Sequence, residues 1–260
     1  MAEPVVTFSK SDSIGYITLD RPPANSYELG FMRDLDAAID AANADSETKV
    51  IILKSASEKF FSGGADIKAF LATSPAGNMD MIRTAHRALD KIGASGKVFI
   101  AAINGHARGG GLEMALACDL RFAAEGKYRL GLPEVTLGLL PGNGGTQRLP
   151  RLIGANKALE MMLTGETVTP EDALRLGIVN KVFPADKLLE ETEAYARKLA
   201  AGAGLAIARI KQCVYQGLAM NLSDGLALER NLIEPLFDSE DAREGLTAFA
   251  EKRAAAYKGK

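Results

Sequence analysis

Two acidic residues stand where acids are costly. Glu113 follows three consecutive glycines, Gly109-Gly110-Gly111, and is enclosed by Leu112, Met114, Ala115, Leu116 and Ala117. Glu134 lies in Leu132-Pro133-Glu134-Val135-Thr136-Leu137, between apolar runs short enough to be strands. A carboxylate in such a run is buried or lines a cleft, which is unfavourable unless it is hydrogen-bonded or has a task. Two carboxyls in different environments can divide acid and base roles over one water molecule. The residue types leave a second reading open, a structural acid satisfied by hydrogen bonds or paired with Arg148. Function is the stronger reading for the pair, but not for either acid singly.

The glycines add an electrophilic element. Gly109-Gly110-Gly111 follow a buried strand and turn and open a helix, so an N–H can approach a ligand with no Cβ in the way. A helix N-terminus also offers unpaired N–H groups and a positive dipole end. That geometry can stabilise an anion present only in a transition state. Tight helix–strand packing is the competing explanation. A second turn, Ser62-Gly63-Gly64-Ala65-Asp66-Ile67, also follows an apolar strand. Two such turns can supply two N–H donors to one acyl oxygen. Asp66 reads most simply as a local helix cap.

Other chemistries lack residues. The only histidines are His86 and His106 and the only cysteines Cys118 and Cys213, all far apart, so no metal-ligating set is expected. His106, in a turn beside Gly105, reads as structural. No GxxxxGK[ST], no G-x-S-x-G elbow and no G-x-G-x-x-G appears; Gly142-Asn143-Gly144-Gly145 fails the last because position 147 is Gln.

Positioning these groups requires a sizeable core, and 260 residues at 47% hydrophobic composition supply one. Net charge is -2 with both signs interspersed, which excludes a nucleic-acid or anionic-membrane footprint. No apolar run approaches the roughly 20 residues that span a bilayer, and Met1–Lys10 lacks a signal-peptide pattern. Isolated thiols among apolar neighbours point to a reducing compartment, so a cytoplasmic location is expected.

The periodicities predict strands at Val5–Phe8, Ile14–Leu19, Val50–Leu53, Val98–Ile103, Leu120–Ala123, Tyr128–Leu132 and Val179–Phe183. Helices are expected at Phe31–Ala44, over much of 70–96 with a break at Ser74-Pro75-Ala76-Gly77, at Leu112–Cys118, and from Thr169 to Gly177. Four more are expected at Asp186–Ala201, Leu205–Met220, Ser223–Leu236 and Ser239–Tyr257. The chain therefore reads as α/β, residues 1–200 forming the core with the active site and 201–260 a helical appendage.

Taken together, Ile103-Asn104-Gly105-His106-Ala107-Arg108-Gly109-Gly110-Gly111-Leu112-Glu113, Cys118-Asp119-Leu120, Leu132 to Gly138 and Pro141 to Leu149 resemble the crotonase superfamily, and within it the enoyl-CoA hydratases. Ser62 to Lys68, Ala173 to Val179 and Glu240 to Gly245 extend the likeness over nearly the whole chain. The resemblance implies a crotonase-like spiral of ββα units with a C-terminal helical trimerisation region, as a homotrimer or a homohexamer made of two trimers. It implies that the N–H groups of Ala65 and Gly110 hold a thioester oxygen. Glu134 would protonate the α-carbon as water adds, and Glu113 would bind and activate that water. Ala24, Gly64, Asp66, Ile67, Lys68 and Gly111 are expected near substrate or coenzyme A. The implied reaction, in fatty acid metabolism, is hydration of a 2-trans-enoyl-CoA to a 3-hydroxyacyl-CoA. It needs no metal or redox cofactor, coenzyme A being part of the substrate. The rivals are another acyl-CoA reaction of the superfamily (isomerase, dehalogenase, decarboxylase or C–C lyase) and a non-catalytic acyl-CoA-binding protein. One departure is visible: relatives often read Asn-Ala-Leu where this chain has Asn25-Ser26-Tyr27, which alters the acyl or pantetheine channel or merely packs.

Overall fold

The computed structural model describes residues 3–260. It begins with an antiparallel hairpin, β1 (Val6–Ser11) and β2 (Ile14–Leu19), followed by α1 (Leu29–Ala44). Three strand–strand–helix units then repeat. The first is β3 (Val50–Ser55), β4 (Phe60–Ser62), α2 (Ile67–Ala72) and α3 (Pro75–Ala94). The second is β5 (Val98–Ile103), β6 (His106–Arg108) and α4 (Gly110–Ala117). The third is β7 (Leu120–Ala124), β8 (Leu130–Gly131), a one-turn 3-10 helix at Glu134–Leu137, α5 (Gly145–Ile153) and α6 (Ala155–Thr164). After them come β9 (Thr167–Val168), α7 (Pro170–Leu176), β10 (Lys181–Phe183) and α8 (Leu188–Ala200). Three helices close the chain: α9 (Gly204–Gly217), α10 (Leu222–Ile233) and α11 (Glu240–Glu251).

The first strand of each unit joins a six-stranded sheet, β1-β2-β3-β5-β7-β10, and the second joins a four-stranded one, β4-β6-β8-β9. This is the expected spiral of ββα units. Continuous apolar runs such as Val98 to Ile103 suit strands covered on both faces, and β5 is buried throughout. Helix α8 lies across β2, β3, β5 and β7, while α1 and α3 pack on each other. For the site, the small sheet matters most. β4, β6 and β8 run parallel, with Ser62 opposite Ala107 and Arg108 opposite Gly131. Parallel neighbours end at the same edge, so the turns leaving these strands lie side by side although they are far apart in sequence.

Four expectations are corrected. The strand foreseen over Tyr128–Leu132 shrinks to Leu130–Gly131, because Tyr128 turns its hydroxyl inward to donate to the carbonyls of Ile103 (3.0 Å) and Ala124 (2.6 Å). Glu134 does not sit between strands. Pro133 cannot donate to a ladder, and its carbonyl instead accepts from the Thr136 N–H and hydroxyl, closing the 3-10 turn that Gly138 ends in the left-handed region. The Ser74-Pro75-Ala76-Gly77 break is a helix start: Ser74 accepts from the Gly77 N–H and Pro75 takes the first helical position. The last helix stops at Glu251 rather than Tyr257. Lys252 turns left-handed (φ 56°), and the tail folds back so that Asp241 accepts from the N–H groups of Lys258 and Gly259. Helices α5 and α6 were not foreseen among the glycines of 142–145 and 154.

The expected division at residues 200 and 201 falls at the end of α8. Beyond it, the buried Lys211 of α9 reaches back to the carbonyls of Ile92 and Lys97 and pairs with Asp119 at 2.9 Å. Among the described residues no helix is long and apolar enough to cross a membrane.

Candidate active site

The turns after β4 and β6 touch. Gly64 has φ 92°, which an L-residue rarely adopts, and a Cβ there would lie 2.8 Å from the Arg108 carbonyl and 3.7 Å from the Gly110 nitrogen. Tyr27 runs alongside the first turn. Its N–H donates to the Gly64 carbonyl (2.9 Å) and its carbonyl accepts from the Asp66 N–H (2.8 Å). Successive N–H groups of an extended chain alternate sides, so the Ala65 N–H points away from Tyr27. Among the described residues, neither that N–H nor the Gly110 N–H meets a protein acceptor.

Helix α4 is built to leave its first N–H groups open. Gly109 precedes it at φ 53° and ψ −132°, and no side chain caps it. Helices α1, α2 and α3 are each closed by one, from Glu28, Asp66 and Ser74. The open end of α4 presents both its N–H groups and the positive end of its dipole.

One turn into α4, Glu113 is buried (1% exposed). The N–H groups of Asn143 (2.7 Å) and Gly145 (2.6 Å) both donate to its Oε1, leaving Oε2 for another partner. Burial pushes its carboxyl up to about 7; the nearby Glu134 charge adds to this, and the two N–H groups oppose it. Glu134 lies over the second turn, where a Cβ on Gly109 would come within 2.9 Å of its Oε1. Its Oε2 is buried with no hydrogen-bond partner in the protein, and burial raises this carboxyl as well.

A cavity of about 720 Å³ opens between these groups. Glu113, Glu134, Gly63 to Ala65, Gly109, Gly110 and Tyr27 line one end. Ile67, Phe70, Met79 and Ile82 from α2 and α3, with Leu137, Leu139 and Leu140, form an apolar wall. Among the expected contact residues, Gly64 and Ile67 face this cavity and the others lie outside its lining. The Ala24 carbonyl accepts from the Gly63 N–H at 2.8 Å, behind the first turn. Asp66 caps α2 by accepting from Lys68 and Ala69, and pairs with Arg21 at 2.9 Å, which holds its carboxyl below the usual range. Lys68 is exposed on α2. Gly111 packs so closely on Ser62 that any Cβ would overlap the Ser62 carbonyl. Arg148 hydrogen-bonds neither acid and binds the Asn143 carbonyl and Asp90 instead, while its charge acts on Glu113 from a distance. His106 accepts from the Arg129 N–H through Nδ1 and packs on Phe60.

Sequence reasoning missed the clamp that holds Glu113. The only trace of it was Gly142-Asn143-Gly144-Gly145, a glycine-rich run that fitted no phosphate-binding pattern. Gly145 is needed because a Cβ there would crowd Glu113 Oε1 at 2.9 Å and Leu132 at 2.8 Å.

The spiral and the paired turns define a crotonase-type fold, and comparison with known proteins agrees. Residues 9–260 match the family described as enoyl-CoA hydratase/isomerase. The structure resembles that of a Geobacillus kaustophilus enoyl-CoA hydratase with TM-score 0.96 and 47% identity, covering 100% of this chain and 98% of that one. An enoyl-CoA hydratase from Bacillus anthracis matches with TM-score 0.94 and 36% identity, over 98% of this chain and 100% of that one. The 2,3-dehydroadipyl-CoA hydratase of Escherichia coli is 38% identical over 261 aligned residues, 100% of both chains. The chain belongs to the enoyl-CoA hydratase/isomerase family of the crotonase superfamily, and is an enzyme.

Proposed function

We propose that the enoyl-CoA hydratase activity of this chain is carried by Glu113, Glu134 and the N–H groups of Ala65 and Gly110. The observation that supports this most is the convergence of a buried carboxyl, a half-buried one and two unpaired N–H groups on one cavity. The thioester oxygen accepts from both N–H groups, and the double bond lies between that oxygen and the acids. Water held by the free Oε2 of Glu113 attacks the β-carbon. Electrons shift to the thioester oxygen, where the N–H pair stabilises the enolate. Glu134 donates a proton to the α-carbon as Glu113 takes one from the water, so the elements of water are added and the acids exchange one proton. Carboxyls raised by burial suit these roles, because each must hold or release a proton near neutral pH. These steps need no metal or redox cofactor.

The apolar wall favours a hydrocarbon acyl chain. Exposed apolar side chains of the closing helical region, among them Leu218, Leu222, Phe237 and Phe249, support assembly as a homotrimer or homohexamer. Two unpaired thiols support a cytoplasmic setting. The test mixes the protein with crotonyl-CoA and longer or cyclic 2-enoyl-CoAs and follows loss of the conjugated absorbance. Wild type hydrates at least one of them, and Glu113→Gln and Glu134→Gln each lose about 10²–10⁴-fold in rate. No hydration of any of them overturns the activity, whereas full activity in both variants overturns only the residue roles.

A further inference from the structure

Tyr27 takes no step in the reaction above, yet it touches both turns that carry the N–H groups and reaches Glu113 through Asn143. Its main chain holds the turn that carries Ala65, through hydrogen bonds with Gly64 and Asp66. Its ring, 4% exposed, lies against Gly110, where any Cβ would overlap the phenol. Its hydroxyl accepts from Asn143 Nδ2 at 2.8 Å. The main-chain N–H of that same Asn143 donates to Glu113. Asn143 is fully buried, and Tyr27 is the only hydrogen-bond partner of its side chain among the described residues, since Oδ1 has none.

We propose that Tyr27 is a positioning residue that aligns Glu113 through Asn143 while its main chain and ring set the spacing of the two N–H donors. The inference rests on the catalytic roles assigned above. Its physical basis is that a buried amide stripped of its one partner leaves its full desolvation penalty unmet and reorients to find another. The side chain of Asn143 hangs from the same backbone unit whose N–H clamps Glu113, so its reorientation loosens that clamp. The phenol itself stays protonated, because burial and then the charges of Glu113 and Glu134 disfavour its anion.

Tyr27→Phe removes the hydroxyl and keeps the ring, so packing against Gly110 survives. The first measurement needs no substrate. Glu113 is titrated by carbonyl-region NMR or infrared difference in wild type and in Tyr27→Phe, with Glu134 and Arg148, the other charges acting on it, left in place. Its carboxyl titrates higher in the variant, because an N–H that favours the charged form has been loosened. The second is kinetic: kcat falls about 10- to 100-fold with KM within about twofold of wild type. The double variant Tyr27→Phe/Asn143→Ala is no slower than Asn143→Ala alone. An unchanged Glu113 titration overturns the inference, and so do losses that multiply in the double variant. If wild type hydrates no enoyl-CoA, the assigned activity falls, while the titration still decides the role of Tyr27.

Discussion

The two N–H donors come from turns with the same plan and opposite surroundings. Each leaves a strand of the small sheet, passes a glycine at positive φ (Gly64 at 92°, Gly109 at 53°) and offers the next N–H to the cavity. The turn at Gly109 opens α4, all eight residues of which are buried. The turn at Gly64 opens α2, which buries none of its six residues. The difference extends to the acids: Glu113 sits on α4 under two N–H groups, whereas Glu134 sits on a 3-10 turn whose remaining residues, Val135 to Leu137, are exposed. One half of the site is thus set by the core, and the other half lies at the surface. A substrate as long as an acyl-CoA needs such a side for entry, and fixed groups opposite for alignment.

Four outcomes would sharpen or break this contrast. The largest effect is expected at the core half. Gly110→Ala places a Cβ on the Tyr27 phenol, so kcat/KM falls about 10²–10³-fold with a lowered Tm. Retention of wild-type kcat/KM would show that this donor is not held as described. Next comes the pH dependence of stability. With its carboxyl raised from an ordinary 4.5 to about 7, folded Glu113 keeps a proton that the unfolded chain releases. Its contribution is therefore most favourable below about pH 4.5, and roughly 3 kcal/mol is lost as pH rises to about 7. Urea unfolding of wild type and Glu113→Gln at pH 5 and pH 8 checks this, because the variant lacks that part of the decline.

The peripheral half should respond more gently. Gly64→Ala forces a left-handed Ala against the Arg108 carbonyl, and a loss of about 10- to 100-fold in kcat/KM is expected, less than at Gly110. A larger loss there than at Gly110 would reverse the assignment of the two halves. The smallest effect belongs to Asp66→Ala. It removes the α2 cap and the Arg21 pair, worth about 1 kcal/mol locally. Hydrogen exchange should quicken in α2 and KM rise a few-fold, with kcat nearly unchanged.

Much of this was legible in the chain. Glu113 and Glu134 stood out because a carboxylate inside an apolar run requires an explanation. Glycines at 63–64 and 109–111 marked both turns, and apolar runs such as Val50–Leu53 and Val98–Ile103 marked buried strands. Local chemistry determines these features. The sequence could not say that Ser62 lies opposite Ala107 and Arg108 opposite Gly131, a register that brings Ala65, Gly110 and Glu134 to one edge. Nor could it say that Asn143 and Gly145 converge on Glu113, or that Tyr27 reaches Asn143 across 116 residues. Those pairings depend on parallel strand register and on close packing between distant elements. The sequence alone thus determined which groups are candidates for chemistry, and tertiary structure decided which neighbours tune them, because hydrogen bonds and burial act over a few ångströms of space whatever the separation along the chain.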